Sequence, residues 1–103
     1  INPETYLNDL IKNNFEVIIT QIAAEGLTEE FLGKKLDKNL IEKLKKINEK
    51  IGFHLGFEGG EAETLVLNCP LFKKKLLIEK AETLMETKHF GKYNIKKIKL
   101  ANK

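Results

Sequence analysis

The segment Phe15–Ile22 constrains the fold most strongly, because it is mostly apolar and rich in β-branched side chains. Such residues suit the pleated backbone, and a run that is apolar on both faces is typical of a strand buried in a sheet. The preceding segment, from Pro3 to Asn13, has apolar residues at helical spacing and follows an asparagine that can cap a helix. A helix that passes through a short joint into a buried strand predicts an α/β layer.

The clearest amphipathic helix in the chain follows Asp37. Its apolar residues recur at steps of four, three and four, with Lys and Glu on the other face: Leu40, Leu44, Ile47 and Ile51. We predict a helix over residues 38–51 that is capped by Asp37 and ended by Gly52. A short helical turn over residues 28–33, closed by Gly33, precedes it.

The C-terminal half favours strands. We predict them over residues 53–55, 64–67, 76–81 and 93–100, and leave residues 85–90 undecided. The last strand is rich in lysine, a residue that protects sheet edges from aggregation, so we place it at an edge. The expected fold class is α/β (α+β): a single domain with a mixed β-sheet flanked by helices and a β-rich C-terminal half.

Composition limits the classes of protein that fit. The 103 residues suffice for one domain, and the net charge of +3 comes from interspersed charges, which argues against a direct nucleic-acid partner. No run approaches the ~20 apolar residues that span a bilayer, so we expect no membrane partner. A single cysteine excludes an internal disulfide and fits a cytoplasmic location. The bias to Lys, Glu and Ile is typical of an archaeal thermophile, and also of AT-rich genomes. The first residue is not Met, which suggests an excised piece.

The acidic loop, residues 58–64, is the candidate for chemistry. It places three carboxylates within six residues: Glu58, Glu61 and Glu63. Between them, Gly59 and Gly60 allow a tight turn and the close approach of a ligand to the backbone. Carboxylates bind metals or amines and act as bases. On spacing alone, a solvated turn before a strand is the ordinary interpretation.

The wider motif resembles a known family. The segments Glu58–Leu67 and Pro70–Lys73 resemble the hallmark of the diphthine–ammonia ligase family, which belongs to the N-type ATP pyrophosphatases within the adenine nucleotide alpha hydrolase-like proteins. Upstream, Glu25–Gly33 resembles a second family segment, and the resemblance runs from about Pro3 to Lys80 in the family's order. Three positions depart from the family pattern: Phe57, Ala62 and Asn68.

The resemblance implies an ATP-dependent reaction. ATP, with Mg, activates the carboxylate of diphthine on translation elongation factor 2 as an acyl-adenylate, and ammonia then displaces AMP to give diphthamide. The family holds ATP in an N-terminal Ser-Gly-Gly-x-Asp-Ser loop that is absent from residues 1–103. The resemblance therefore implies a C-terminal substrate-binding domain, inactive alone and without bound cofactor, whose partners are the elongation factor and its own N-terminal ATP-binding domain.

The same resemblance assigns roles within the acidic loop. Glu61 and Glu63 are the expected catalytic residues, which orient the trimethylammonium group of the substrate or the incoming ammonia. The expected substrate-binding residues are Glu58, Gly59, Gly60 and Thr64. Glu58 alternatively binds a metal or other cation or holds the loop, and Thr64 alternatively fixes the turn. Apart from that alternative for Glu58, we predict neither a metal ligand nor a cofactor ligand in this chain.

Other reactive residues have simpler interpretations. Cys69 is expected to be a small buried residue, His54 to brace the acidic loop, and His89 to be exposed. One Cys and two isolated His residues do not make a zinc site. The Lys73–Lys75 run is expected to be a solvated surface, with contact to the translation factor or to ribosomal RNA as the alternative.

Two rival functions remain open. The chain is alternatively a stand-alone binding or oligomerisation module, in which the C-terminal strands pair with a second copy to form a homodimer. A third interpretation, a trimeric imine deaminase with a catalytic arginine, is disfavoured because the chain contains no arginine.

Overall fold

The computed structural model describes residues 3–51 and 62–103. Helix α1 spans Pro3–Lys12 and helix α2 spans Lys38–Ile51, with a single 3-10 turn at Glu29–Phe31 between them. The strands are β1, Glu16–Ala23; β2, Ala62–Asn68; β3, Lys74–Thr87; and β4, Phe90–Asn102. The predicted α+β class and the β-rich C-terminal half are confirmed.

The four strands form one sheet in the order β2-β1-β4-β3. Strand β1 lies inside the sheet, as its apolar sequence predicts. Every strand pairing in the described part of the chain is antiparallel, so the sheet is not mixed as predicted. The predicted strand 93–100 falls within β4, which lies between β1 and β3 in the strand order but pairs with β1 only at Phe90–Lys92. Within the described residues, 93–100 pairs with β3 alone, as predicted for an edge. Three lysines of β4 form ion pairs with glutamates of β3: Lys97 and Lys99 pair with Glu79, and Lys96 pairs with Glu82.

The hydrophobic core lies between the two helices and one face of the sheet. Leu7 of α1 and Ile41 and Leu44 of α2 pack with Val17 and Ile19 of β1. Ile19 and Leu44 have no exposed surface. Since apolar burial is the main stabilising term, this layer fixes the position of β1 and of the strands that pair with it.

The segment after the 3-10 turn occupies part of one edge of β1. Gly33 and Leu36 donate backbone hydrogen bonds to Ile19 and Val17, so Gly33–Leu36 lies along the first half of β1. Gly33 has φ +75, and a Cβ there would lie 2.8 Å from the Tyr93 ring. Glycine is therefore required on two grounds, its conformation and the close approach of Tyr93.

The same segment determines where β4 leaves the sheet. Strand β4 pairs with β1 only at Phe90–Lys92, opposite Gln21–Ala23. Beyond Lys92, the pairing of β4 within the described residues is with β3, and it continues to Asn102. The β3–β4 hairpin is therefore a long two-stranded ribbon that joins the rest of the sheet near its turn. The undecided residues 85–90 are this turn, with β3 running on to Thr87 and β4 beginning at Phe90.

Specific residues define two helix boundaries. Asn14 ends the α1 region with φ 64, the left-handed conformation that asparagine tolerates. At the start of α2, the backbone N–H of Leu40 donates to Oδ1 of Asp37 at 2.7 Å, which is the predicted cap.

Replacing Asp37 by alanine is expected to lower the free energy of unfolding by about 1 kcal/mol, because the first turn of α2 loses its side-chain acceptor. Asp37→Asn retains an acceptor of the same size and is expected to change stability much less. Urea unfolding followed by circular dichroism measures both. Equal losses in the two variants would show that the charge of Asp37, and not the capping bond, stabilises the helix.

Candidate functional site

Most of the predicted site lies outside the described residues. Glu58, Gly59, Gly60 and Glu61 all fall there, as do His54 and the predicted strand 53–55. Their roles stay predictions. The structure does describe Ala62, Glu63 and Thr64, which carry the C-terminal end of the acidic loop into β2.

Strand β2 fixes the backbone at Glu63. Glu63 lies opposite Gln21 of β1, and its carbonyl oxygen accepts a hydrogen bond from the Thr20 hydroxyl at 3.3 Å. The Glu63 side chain is exposed. Within the described residues its carboxylate has no ion-pair partner. The structure therefore presents Glu63 as a solvent-accessible carboxylate on a backbone held by a central strand.

Glu63 and Thr64 point in different directions. Successive side chains of a strand project from opposite faces. Thr64 lies opposite Ile19, between Ala62 and Val66, both of which contact the core, so Thr64 shares the helix-facing side of β2. Glu63 projects from the other face. Both side chains are exposed, and their roles in one site stay predictions.

The departure at Ala62 has a structural meaning. The Ala62 side chain is 7% exposed and belongs to the core cluster, opposite Ile22 of β1. Ala62 therefore packs into the interior, and its small size affects the packing at the start of β2.

A polar groove that the sequence analysis did not predict lies at the other end of β2. It has a volume of about 420 Å³, and its polar lining comes from five residues: Asn14, Glu16, Lys35, Asp37 and Asn68. Lys35 pairs with Glu16 at 3.7 Å. Oδ1 of Asn68 is buried and has no hydrogen-bond partner among the described residues. Asn68 stands where the family pattern has Asp, so one of the three departures from that pattern falls on a residue that lines the groove.

The other singled-out residues have structural roles. Cys69 is a free thiol, 5% exposed, as predicted. His89 is half-buried, so the prediction that it is exposed is wrong. Its Nδ1 lies 2.8 Å from the carbonyl oxygen of Leu27, and its own carbonyl accepts from the Ala24 N–H. His89 therefore joins the turn of the hairpin to the segment after β1.

Residues 3–51 and 62–103 contain neither a metal-binding cluster nor a membrane-spanning helix. No group of three or more His, Cys, Asp or Glu side chains in these ranges is arranged to hold a metal ion. No helix in them is long and apolar enough to cross a membrane.

Comparison with known proteins gives consistent matches. A family model described as "Diphthamide synthase C-terminal domain" matches residues 2–101. The chain is 42% identical over 84 residues to a diphthine–ammonia ligase of Bos taurus, an alignment that covers 81% of the chain and 31% of that protein. It is 39% identical over 87 residues to the diphthine–ammonia ligase of Homo sapiens, which covers 84% and 32%. The Schizosaccharomyces pombe protein of the same name is 43% identical over 81 residues, which covers 79% and 13%. The chain thus spans about a third or less of the length of these relatives.

Proposed function

Because this chain belongs to the diphthamide synthase C-terminal domain family, we propose that it is the substrate-side domain of an ATP-dependent ligase that amidates diphthine on translation elongation factor 2. The observation that carries the proposal is the family match over residues 2–101, together with about 40% identity to proteins named diphthine–ammonia ligase. Residues 1–103 form one C-terminal domain in this proposal. ATP is held by an N-terminal domain of the complete protein.

The chemistry divides between the two domains. The diphthine carboxylate attacks the α-phosphorus of ATP and releases pyrophosphate, and ammonia then attacks the acyl carbon so that AMP leaves. This chain contains no Ser-Gly-Gly-x-Asp-Ser sequence. Its acidic loop is also a poor substitute, since carboxylates repel phosphates whereas phosphate loops present backbone amides and cations. The domain alone is therefore expected to be inactive.

The acidic loop is proposed to hold the cationic part of the reaction. Glu61 and Glu63 orient the trimethylammonium group of diphthine or the incoming ammonia, and Glu58 with Gly59 and Gly60 shapes the loop around it. The carboxylate of Glu63, which is exposed and has no ion-pair partner within residues 3–51 and 62–103, supports this role. Thr64 is exposed and projects from the other face of β2; its proposed role is to donate a hydrogen bond to the substrate or to fix the turn.

We expect the gene product that contains this chain to release AMP only when ATP, ammonium and diphthine-bearing elongation factor 2 are all present. Omitting the elongation factor, or replacing it with factor that lacks diphthine, is expected to reduce AMP to the background of ATP hydrolysis. AMP and the amidated product are measured by chromatography and mass spectrometry. Absence of AMP under all conditions, with ATP bound, contradicts the ligase proposal.

A stand-alone binding or oligomerisation module is the second candidate. The exposed apolar side chains of the β3–β4 hairpin favour it, among them Leu77, Ile98 and Leu100. Light scattering separates the homodimer form of this candidate from the ligase domain, because a strict monomer excludes self-assembly.

A further inference from the structure

The charge of the chain is concentrated in the hairpin region. Residues 73–103 contain ten lysines and three glutamates, a net charge of +7, whereas residues 1–72 contain eight lysines and twelve carboxylates, a net charge of −4. Three lysines of the hairpin pair with its glutamates: Lys96, Lys97 and Lys99. Six others have no ion-pair partner within the described residues: Lys73, Lys74, Lys75, Lys80, Lys88 and Lys92. A small net charge of +3 for the whole chain conceals this asymmetry.

An aliphatic tetrad lies in the part of the hairpin that extends beyond β1. Leu76 pairs directly with Leu100, and Ile78 with Ile98. These pairs are two residues apart with no register shift between them, so the four side chains share one face of the ribbon. Leu100 is 63% exposed and Ile98 is 39% exposed. The tetrad is an apolar surface in which Leu76 and Ile78 are half-buried. The open end of the ribbon is held to the segment after β2 by the bonds of Lys103 to Cys69 and Phe72.

Lysines flank the tetrad along both strands. On β3, Lys74 precedes the tetrad on the same face and Lys80 follows it beyond a register shift, whereas Lys75 and, on β4, Lys97 alternate to the other face. Lys103 follows β4, with its Nζ bound to the carbonyl oxygens of Cys69 and Phe72. An apolar centre with a charged rim is the arrangement of a protein–protein interface.

The charge pattern selects among possible occupants. A second copy of the hairpin would bring two surfaces of the same strong positive charge together, and like-charge juxtaposition opposes binding. A nucleic acid would suit the lysines, but single strands bind by stacking bases on aromatic rings, and the tetrad is aliphatic. A protein surface with apolar residues at its centre and carboxylates around them satisfies both features.

We propose that the tetrad and its flanking lysines bind such an acidic protein surface, and that in the proposed ligase this surface belongs to the elongation-factor substrate. This proposal rests on the proposed function for the identity of the partner. In this proposal the hairpin binds the body of the elongation factor, and the acidic loop engages its modified histidine.

The test compares two glutamate substitutions on opposite faces of the hairpin. Leu100→Glu places a charge in the tetrad, whereas Leu77→Glu lies opposite Lys99, on the other face, at a residue that is 38% exposed. Binding of the 103-residue chain to purified diphthine-bearing elongation factor 2 is measured by calorimetry. We expect Leu100→Glu to weaken the Kd on the order of 10-fold and Leu77→Glu to change it much less. Thermal unfolding of both variants verifies that the hairpin is folded.

A charge-matched pair tests the rim. Lys74→Glu with Lys80→Glu is expected to weaken binding and to reduce its dependence on salt, whereas Lys38→Glu with Lys46→Glu, on exposed positions of α2, makes the same change in net charge elsewhere. If the two pairs of substitutions weaken binding equally, the lysines beside the tetrad have no specific role. Equal effects of Leu77→Glu and Leu100→Glu overturn the tetrad.

Other occupants give distinct results that also overturn the proposal. Dimerisation of the chain that Leu100→Glu abolishes identifies a second copy, and competition by ribosomal RNA at the same surface identifies a nucleic acid. Protection of Lys74 and Lys80 from acetylation in the complete gene product, without elongation factor, identifies an intramolecular interface.

Failure of the proposed function gives a different result from failure of the docking surface. Normal AMP release with an unchanged KM for the elongation factor in Leu100→Glu rejects the docking surface alone, whereas binding without any AMP release rejects the ligase.

Discussion

Replacing Glu61 by glutamine in the complete gene product is expected to lower AMP release on the order of 100-fold or more. The substitution keeps the size and hydrogen-bonding reach of the side chain and removes its charge. If the carboxylate orients ammonia or accepts its proton, the neutral amide supplies neither the attraction nor the basicity. AMP is measured with ATP, ammonium and diphthine-bearing elongation factor 2 at saturating concentrations, so that the change is in kcat.

Two substitutions at described carboxylates accompany Glu61→Gln: the first is a matched control, and the second is a further test of the acidic loop. Glu42→Gln makes the same chemical change on an exposed position of α2 and is expected to leave AMP release unchanged. Glu63→Gln is expected to lower it, because Glu63 is the described carboxylate at the start of β2. ATP binding by each variant is measured separately. Full activity of Glu61→Gln would mean that the acidic loop is structural, whatever the family of the protein.

Elements with strong local patterns were predictable from the sequence. Helix α2 has an apolar stripe over four turns and a capping Asp37, and both the extent and the cap agree with the structure. Strand β1 is dense in β-branched residues, which is typical of a buried strand, and it lies inside the sheet. In these segments the local signal and the tertiary environment favour the same structure.

The position of β4 was not predictable from its composition. A lysine-rich strand is typical of an edge, and residues 93–100 pair with β3 alone among the described residues, where Glu79 and Glu82 pair with their lysines. Composition does not indicate that Phe90–Lys92 pairs with β1. The Gly33–Leu36 segment also takes the place beside Val17 and Ile19 that β4 would otherwise occupy. Both effects depend on residues far apart in the chain, so no local window contains them.

A sequence motif alone does not determine the role of each of its residues, as the candidate site shows. The family resemblance assigns roles to contiguous residues, among them Glu61, Glu63 and Thr64. Strand alternation instead separates Glu63 from Thr64 and turns Ala62 into the core. A motif that runs from a loop into a strand therefore contains residues with structural roles as well as residues with chemical ones.

Phe31→Ala is expected to be the most destabilising of the substitutions considered, with a loss of about 3–5 kcal/mol in the free energy of unfolding. Phe31 is 1% exposed and is the largest fully buried side chain of the described core. Its removal leaves a cavity next to the 3-10 turn. Since a domain of this size has a total stability of roughly 5–15 kcal/mol, the melting temperature is expected to fall on the order of 20 °C.

Two substitutions separate burial from other contributions of Phe31. Phe72→Ala makes the same chemical change at a ring that is 37% exposed, and its effect on the melting temperature is expected to be small. Lys43→Met removes the ammonium that lies 5.4 Å from the centroid of the Phe31 ring, an interaction of about 0.5–1 kcal/mol at an exposed site. A drop for Phe31→Ala no larger than that for Phe72→Ala would contradict the packing assigned to the core.

Phe31→Ala is also expected to loosen the junction between the hairpin and the sheet. The segment that begins two residues later, at Gly33, bonds to β1 and contacts Tyr93, where β4 leaves the sheet. A cavity beneath the 3-10 turn is therefore expected to loosen this junction before the distant β1–β2 pairing. Hydrogen exchange tests this order: in Phe31→Ala the amide of Ile19, which bonds to Lys34, is expected to lose more protection than the amides of β2. Uniform loss across both would mean that the junction and the sheet unfold as one unit.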